Sequence, residues 1–141
     1  MEDSPELLWE PAARRRGPIE MRLPADPELV SAIRLAASAM AATGKCTVAE
    51  IDDVKLAISE ALLALIEHGS GAQLSISMEL ADSRFTISAS TETMTFDRSH
   101  PDLALCETVL AAVCSDHSIE IAGSELRIDA DVSLNPPESK R

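Results

Sequence analysis

The chain has 141 residues, of which 45% are hydrophobic and 26% are charged, so its composition is that of one globular domain and excludes wholesale disorder. Acidic residues outnumber basic ones by 24 to 12, and the net charge of −12 argues against nucleic acid or an anionic membrane as a partner. Apolar runs reach six residues, as in residues 61–66, which is too short for a membrane span.

Three cysteines, Cys46, Cys106 and Cys114, lie at spacings that fit neither a zinc site nor a disulfide framework. An export signal has a basic segment followed by an apolar one, and the N-terminal residues do not show this pattern. These features predict a soluble cytoplasmic protein with reduced, mostly buried thiols.

The chain is predicted to divide into a flexible N-terminal arm at residues 1–17, one domain at residues 18–134 and a tail at residues 135–141. The arm holds three consecutive arginines and two prolines without a sustained period, which is typical of a mobile terminus. It also carries the chain's only tryptophan, Trp9, directly after two leucines. These apolar residues are either a short docking segment or a cover for the domain, and the sequence leaves both interpretations open.

The first predicted elements are a strand and a helix. Residues 19–23 alternate apolar and charged side chains, as a half-buried strand does. Asp26 supplies an N-cap and Pro27 a first helical residue for a helix that extends to Gly44. Its apolar residues recur at helical spacing: Leu29, Val30, Ile33, Ala37 and Met40.

A second helix begins at a capping box formed by Thr47 and Glu50, which satisfy each other's backbone donors. Its apolar stripe recurs at intervals of three and four residues: Ile51, Val54, Ile58, Leu62 and Leu65. Gly69 stands where a left-handed C-terminal cap is expected.

Two hairpins and a third helix complete the domain. Period-two alternation across residues 74–89 predicts a hairpin with its turn at residues 81–83. Pro101 opens a third helix, and residues 119–132 form a second hairpin around Gly123. The order β-α-α-β-β-α-β-β predicts an α+β two-layer sandwich, in which helices cover one face of a mainly antiparallel sheet.

Two segments carry a resemblance to a known family. The first runs from Leu23 to Arg34, and the second comprises residues 53–61, which read Asp-Val-Lys-Leu-Ala-Ile-Ser-Glu-Ala, followed by residues 66–69. Both resemble the serine-kinase anti-sigma factors of Gram-positive bacteria, which belong to the histidine-kinase-like ATPase superfamily. The resemblance covers residues 18–134 and implies the histidine-kinase-like ATPase fold.

The resemblance also implies a regulator of transcription in a stress or developmental response, which sequesters a sigma factor and is released by an anti-anti-sigma (STAS-type) protein. In the family an exposed arginine on the first helix contacts both partners. It falls on Arg34, and Glu28 and Ser31 are the accompanying candidate partner-binding residues. The residues alone equally allow a surface ion pair of Arg34 with Glu28 or Asp26. Family members dimerise through the sheet near the first strand, so a homodimer is one expectation.

The chain departs from the family's catalytic pattern in the second helix. The family has a glutamate base there, then a magnesium-binding asparagine and a His-Gly pair. The base falls on Glu60 and the pair on His68 and Gly69, but the asparagine position is Ala64. A methyl group cannot ligate a cation that requires oxygen donors, so Glu60 is expected to be a vestigial base. The other histidines, His100 and His117, are isolated in the sequence, and no metal site is expected.

The glycine-rich nucleotide boxes of the family are also missing. The matching segment, residues 88–96, has no glycine, and none occurs between residues 72 and 122. Backbone amides cannot closely cradle a triphosphate where every residue carries a Cβ. We therefore expect no cofactor, no kinase activity and a non-catalytic anti-sigma-type regulator. The alternatives are a divergent protein-serine kinase acting on an anti-anti-sigma protein, a small-molecule sensor using the vestigial pocket, and an accessory subunit of a phosphatase or two-component assembly.

Overall fold

A computed structural model describes residues 17–94 and 100–134 of the chain. The strands are β1 (Ile19–Pro24), β2 (Gln73–Ala81), β3 (Arg84–Glu92), β4 (Asp116–Ala122) and β5 (Glu125–Ser133). The helices are α1 (Val30–Ala42), α2 (Val48–His68) and α3 (Pro101–Val113). This order confirms the predicted sequence of elements. The arm up to residue 16, the end of the segment matching the glycine box and the tail lie outside the described residues.

The strands form one sheet in the spatial order β1-β2-β3-β5-β4, in which all neighbours are antiparallel. Buried and exposed positions alternate along β2, β3 and β5, so the buried side chains share one face of the sheet. That face packs against the helices, and its largest fully buried side chains include Phe85, Ile87 and Ile128. The arrangement is the predicted α+β two-layer sandwich.

The hairpin between β2 and β3 turns through two residues, Asp82 and Ser83, at φ 53° and 61°. Positive φ at both central positions is the geometry that matches the twist of the flanking strands. The turn is therefore one residue shorter than the sequence predicts.

All three predicted helix starts are present, including that of α3 at Pro101, with one difference at α1. Asp26 accepts a hydrogen bond from the backbone N–H of Glu28 at 2.9 Å, but the first turn, Pro27–Leu29, is a 3-10 helix. At α2 the capping box is complete, because the backbone N–H of Glu50 donates to Thr47 Oγ1 at 3.1 Å and the backbone N–H of Thr47 donates to Glu50 Oε1 at 2.8 Å.

The predicted left-handed cap at the end of α2 is wrong, because Gly69 has an extended conformation with φ −85° and ψ 168°. Glycine is needed there for space instead. A Cβ on Gly69 would lie 2.6 Å from the carbonyl oxygen of Leu65 and closer still to Cγ2 of Thr91. The following residues, Ser70 and Gly71, donate their N–H groups to the carbonyl of Glu92 at 2.8 and 3.0 Å. The end of α2 is thus packed tightly against the end of β3.

Within the described ranges, no helix combines the length and the hydropathy that a membrane span needs.

Candidate functional site

The predicted partner-binding residues of the first helix lie at an open groove between α1 and α2, with a volume of about 660 Å³. We call it the α1–α2 groove. It is lined by residues of both helices: Ser31, Ala32, Arg34, Leu35, Ser38, Asp52, Lys55, Leu56 and Ser59. The structure thus brings Ser31 and Arg34 into one concave surface. Glu28 lies one turn earlier, in the 3-10 turn, where its carbonyl accepts from the Ser31 hydroxyl at 3.4 Å.

Arg34 is held across the groove by a contact with α2. Its Nη1 donates to Oγ of Ser59 at 3.3 Å, and that hydroxyl donates to the carbonyl of Lys55 at 2.9 Å. The expected alternative, an ion pair of Arg34 with Glu28 or Asp26, is not the interaction that the structure gives it. Ser59 is 9% exposed, so the guanidinium is anchored to a nearly buried atom.

Two leucines supply an apolar surface within the groove. Leu35 is 70% exposed and Leu56 is 41% exposed, although both have large side chains that normally gain stability from burial. Cationic groups flank them, since Arg34 precedes Leu35 and Lys55 precedes Leu56. The Lys55 ammonium is 3.8 Å from Oδ1 of Asp52. An exposed apolar centre with a charged rim is the usual composition of a protein-binding surface.

Sequence reasoning missed Leu35, Leu56 and Ser59 as members of the site. A signal was present for the leucines, because both stand outside the apolar stripes of their helices and next to a cation. Ser59 had no signal of its own, since its role depends on how closely α2 approaches Arg34.

Glu60, the predicted vestigial base, lies where α2 meets α3. Its carbonyl accepts a weak hydrogen bond from Sγ of Cys106 at 3.7 Å. Burial raises the pKa of the Cys106 thiol to about 12, and the negative charges of Glu60 and Glu107 add to that shift. The half-buried Glu60 therefore faces a neutral, buried thiol on α3.

Two threonines in the described part of the segment that matches the family's glycine box have structural roles. Thr91 and Thr93 are each 5% exposed, and their hydroxyls donate to the carbonyls of Gln73 at 2.8 Å and His68 at 3.4 Å. Ala64, at the position of the magnesium ligand, is buried as well. The hydroxyls of Thr91 and Thr93 thus link the end of β3 to β2 and to the end of α2 by hydrogen bonds.

Two histidines that are far apart in the sequence, His68 and His100, have their rings in contact. The rings of His68 and His100 meet edge to face with centroids 4.9 Å apart. Nδ1 of His100 accepts from the N–H of Asp102 at 3.1 Å and so caps α3. Within the described ranges no three metal-binding side chains come together. The pair connects the end of α2 to the start of α3.

The chain is similar to known proteins in sequence and in fold. A family model described as "Histidine kinase-like ATPase domain" matches residues 23–124. The serine-protein kinase RsbW of Bacillus subtilis (strain 168) is 34% identical over 91 residues, which are 60% of this chain and 57% of that protein. RsbW of Staphylococcus epidermidis is 37% identical over 84 residues, or 56% of this chain and 53% of that protein.

The matches thus span little more than half the length of these relatives. Among solved structures, the histidine kinase AdeS of Acinetobacter baumannii superposes with a TM-score of 0.50 at 16% identity. The superposition covers 92% of this chain and 74% of that one, which is a likeness of fold.

Proposed function

Because the chain belongs to the histidine kinase-like ATPase domain family, we propose that it is a non-catalytic anti-sigma-type regulator, which sequesters a sigma factor or binds an anti-anti-sigma (STAS-type) protein. Its similarity to the RsbW serine-protein kinases, which belong to the anti-sigma regulator family, supports this class of partner. The proposal includes action in the cytoplasm and pairing of two copies near β1.

The observation that carries the proposal is the position of Arg34. The Ser59 hydroxyl holds the guanidinium beside the exposed side chains of Leu35 and Leu56. An arginine that is already oriented loses less side-chain entropy when a partner binds. Arginine beside apolar surface is also the combination found where binding energy is concentrated in protein interfaces.

The charge of the chain supports a basic partner. With a net charge of −12, the protein attracts the basic, polymerase-facing and DNA-facing surfaces of a sigma factor, and opposite potentials accelerate encounter. The mechanism is then occlusion, in which the bound regulator covers surfaces that the sigma factor needs.

Regulation without ATP is part of the proposal, and the residues that match the family's nucleotide site support it. Buried Thr91 and Thr93 replace a glycine-rich turn, and Ala64 offers no oxygen to a magnesium ion. Release of the partner would then depend on competition between partners, on phosphorylation of a partner by another kinase, or on a ligand.

The test is affinity capture of the tagged full chain from its native cytoplasm, with bound proteins identified by mass spectrometry. Arg34→Glu is compared with Arg84→Glu, which reverses a 56% exposed charge on the open face of the sheet. We expect a sigma factor or a STAS-type protein with the wild type and with Arg84→Glu, and its loss with Arg34→Glu. Recovery of neither class by the wild type, or equal recovery by both variants, contradicts the proposal.

A further inference from the structure

We propose that the chain's own N-terminal segment, Glu6–Trp9, occupies the α1–α2 groove while no partner is bound. The segment reads Glu-Leu-Leu-Trp, and the groove is the concave surface that contains Arg34, Leu35 and Leu56. The docking itself does not depend on the proposed function. Its regulatory consequence does rest on it, because a segment bound here competes with the partner for the same surface.

The apolar chemistry of the two surfaces matches. Leu35 and Leu56 offer exposed apolar area at 70% and 41% exposure, and burying such area is favourable in proportion to its size. Leu7, Leu8 and Trp9 are three consecutive large apolar side chains. A tryptophan alone buries on the order of 200 Å² when it packs against a surface. The segment thus offers Leu35 and Leu56 an apolar surface against which they would be buried.

The charges also match. Residues 1–10 contain four acidic residues (Glu2, Asp3, Glu6 and Glu10) and no basic side chain. The groove is lined by Arg34, Lys55 and Asp52, and the Lys55 ammonium is 3.8 Å from Oδ1 of Asp52, so Arg34 is the cation that would attract an acidic segment. Among the described residues, the partner of Arg34 is a hydroxyl and not a carboxylate. A carboxylate from the segment would therefore meet a guanidinium whose charge is not yet paired, and such charge-assisted hydrogen bonds are the strong ones.

The length of the chain permits the contact. Ile19 pairs with Met78 on β2, and the Leu80 side chain, two residues further along, lies 3.3 Å from the position of a Cβ on Gly44. The chain therefore enters the sheet beside the C-terminal end of α1.

The groove is within reach of that entry point. Nine residues separate Gly44 from Leu35, which is about 14 Å along a helix. Eight residues separate Trp9 from Gly17, and they span up to about 26 Å when extended. This leaves enough chain to pass around α1 and place Trp9 in the groove.

The test uses the fluorescence of the full-length protein. Trp9 is the single tryptophan and the chain has no tyrosine, so the emission reports on the segment directly and needs no partner protein. We expect wild-type emission at shorter wavelength, and slower quenching by acrylamide, than in the same chain unfolded in urea. Leu35→Glu and Leu56→Glu are each expected to move both values toward those of the unfolded chain.

The matched control is Leu105→Glu, which places the same charge at a 62% exposed leucine on α3 and should leave the emission unchanged. Circular dichroism verifies that each variant is folded. Wild-type emission equal to that of the unfolded chain, or an equal shift in Leu105→Glu, would overturn the proposal. A shift that appears on dilution of the wild type would assign the contact to a second copy and also overturn it.

Competition is tested with Leu7→Ser combined with Leu8→Ser, which leaves the groove intact. The apparent affinity of a partner is proportional to the fraction of molecules whose groove is uncovered. This variant should therefore bind the captured partner about threefold more tightly, or better. Unchanged affinity contradicts the competition. Failure to capture any partner contradicts the proposed function alone, because the fluorescence result stands without it.

Discussion

Arg34 on α1 and Ser59 on α2 are joined by a hydrogen bond of 3.3 Å across 25 residues of sequence. The serine hydroxyl accepts from the guanidinium and donates to the carbonyl one turn earlier, at Lys55. A guanidinium has five N–H donors, and this bond fixes its orientation while leaving further donors for a partner. The contact therefore links the packing of two helices to the geometry of the proposed binding surface.

Ser59→Ala removes the acceptor and leaves Arg34 in place. We expect the free energy of unfolding to fall by about 1 kcal/mol, the usual contribution of one hydrogen bond, and partner affinity to fall several-fold because the guanidinium is no longer oriented. Urea unfolding and titration with the captured partner measure the two effects. The control is Ser38→Ala, whose hydroxyl also lines the groove but donates only to the Leu35 carbonyl. Unchanged affinity in Ser59→Ala would show that the bond does not orient Arg34.

Magnesium and ATP are expected to leave the thermal unfolding temperature of the wild-type protein unchanged, because a ligand raises it only by binding the folded state. Ala64→Asn should also show no rise, since it supplies one oxygen ligand while Thr91 and Thr93 remain buried in the segment that matches the family's glycine box. The serine-protein kinase RsbW of Bacillus subtilis serves as the positive control in the same assay. A rise in the wild type would favour the divergent kinase over the non-catalytic regulator.

Gly69→Ala is expected to lower the free energy of unfolding by about 1 to 3 kcal/mol, the range for inserting a methyl group into a packed site. The new Cβ would meet Cγ2 of Thr91 and the carbonyl oxygen of Leu65. Gly17→Ala, where nothing lies within 4 Å, is the control and should be nearly neutral.

Adding Thr91→Ser to Gly69→Ala should recover part of the loss, because serine lacks Cγ2 but keeps the hydroxyl that donates to Gln73. Urea midpoints measure all three variants. No recovery in the double variant would assign the loss to the Leu65 carbonyl instead.

Because of the thiols of Cys106 and Cys114, we expect the folded state to lose stability at alkaline pH. Burial raises the pKa of Cys106 to about 12 and that of Cys114 to about 11, whereas thiols of an unfolded chain ionise near about 8.5. The folded state therefore binds these protons more tightly, and the free energy of unfolding should decrease as the pH rises from about 9 toward the folded values.

The measurement is urea unfolding at a series of pH values, with Cys106→Ala expected to flatten the decrease. Val109→Ala on the same helix removes apolar volume but no titrating group, and should keep the wild-type slope. An equal slope in wild type and Cys106→Ala would show that Cys106 does not contribute.

Most elements of the fold could be predicted because their signals are local. The alternation in β2 and β3 depends on residues two positions apart, and the capping box at Thr47 depends on residues three positions apart. The role of Gly69 was predicted wrongly because the need for glycine there comes from Thr91, which lies on another element and leaves no room for a Cβ. A helix-ending glycine indicates where a helix stops, but not whether a positive φ or a close neighbour requires it.

The candidate site was only partly predictable for the same reason. Arg34, Glu28 and Ser31 became candidates because they lie in the segment from Leu23 to Arg34, one of the two that resemble the family, and that signal is local. The groove exists only where α1 packs against α2, so neither the neighbourhood of Leu35 and Leu56 nor the ring contact of His68 with His100 follows from local patterns.

The position of β5 has a consequence for biosynthesis. It is the last of the described strands in sequence, yet it lies between β3 and β4 in the sheet. While the protein is being translated, β1, β2 and β3 can pair with one another, but β3 keeps an open edge until residues 125–133 have left the ribosome. Such an edge can pair with other chains. Nascent chains that stall before β5 are therefore expected to be the aggregation-prone and protease-sensitive form of this protein.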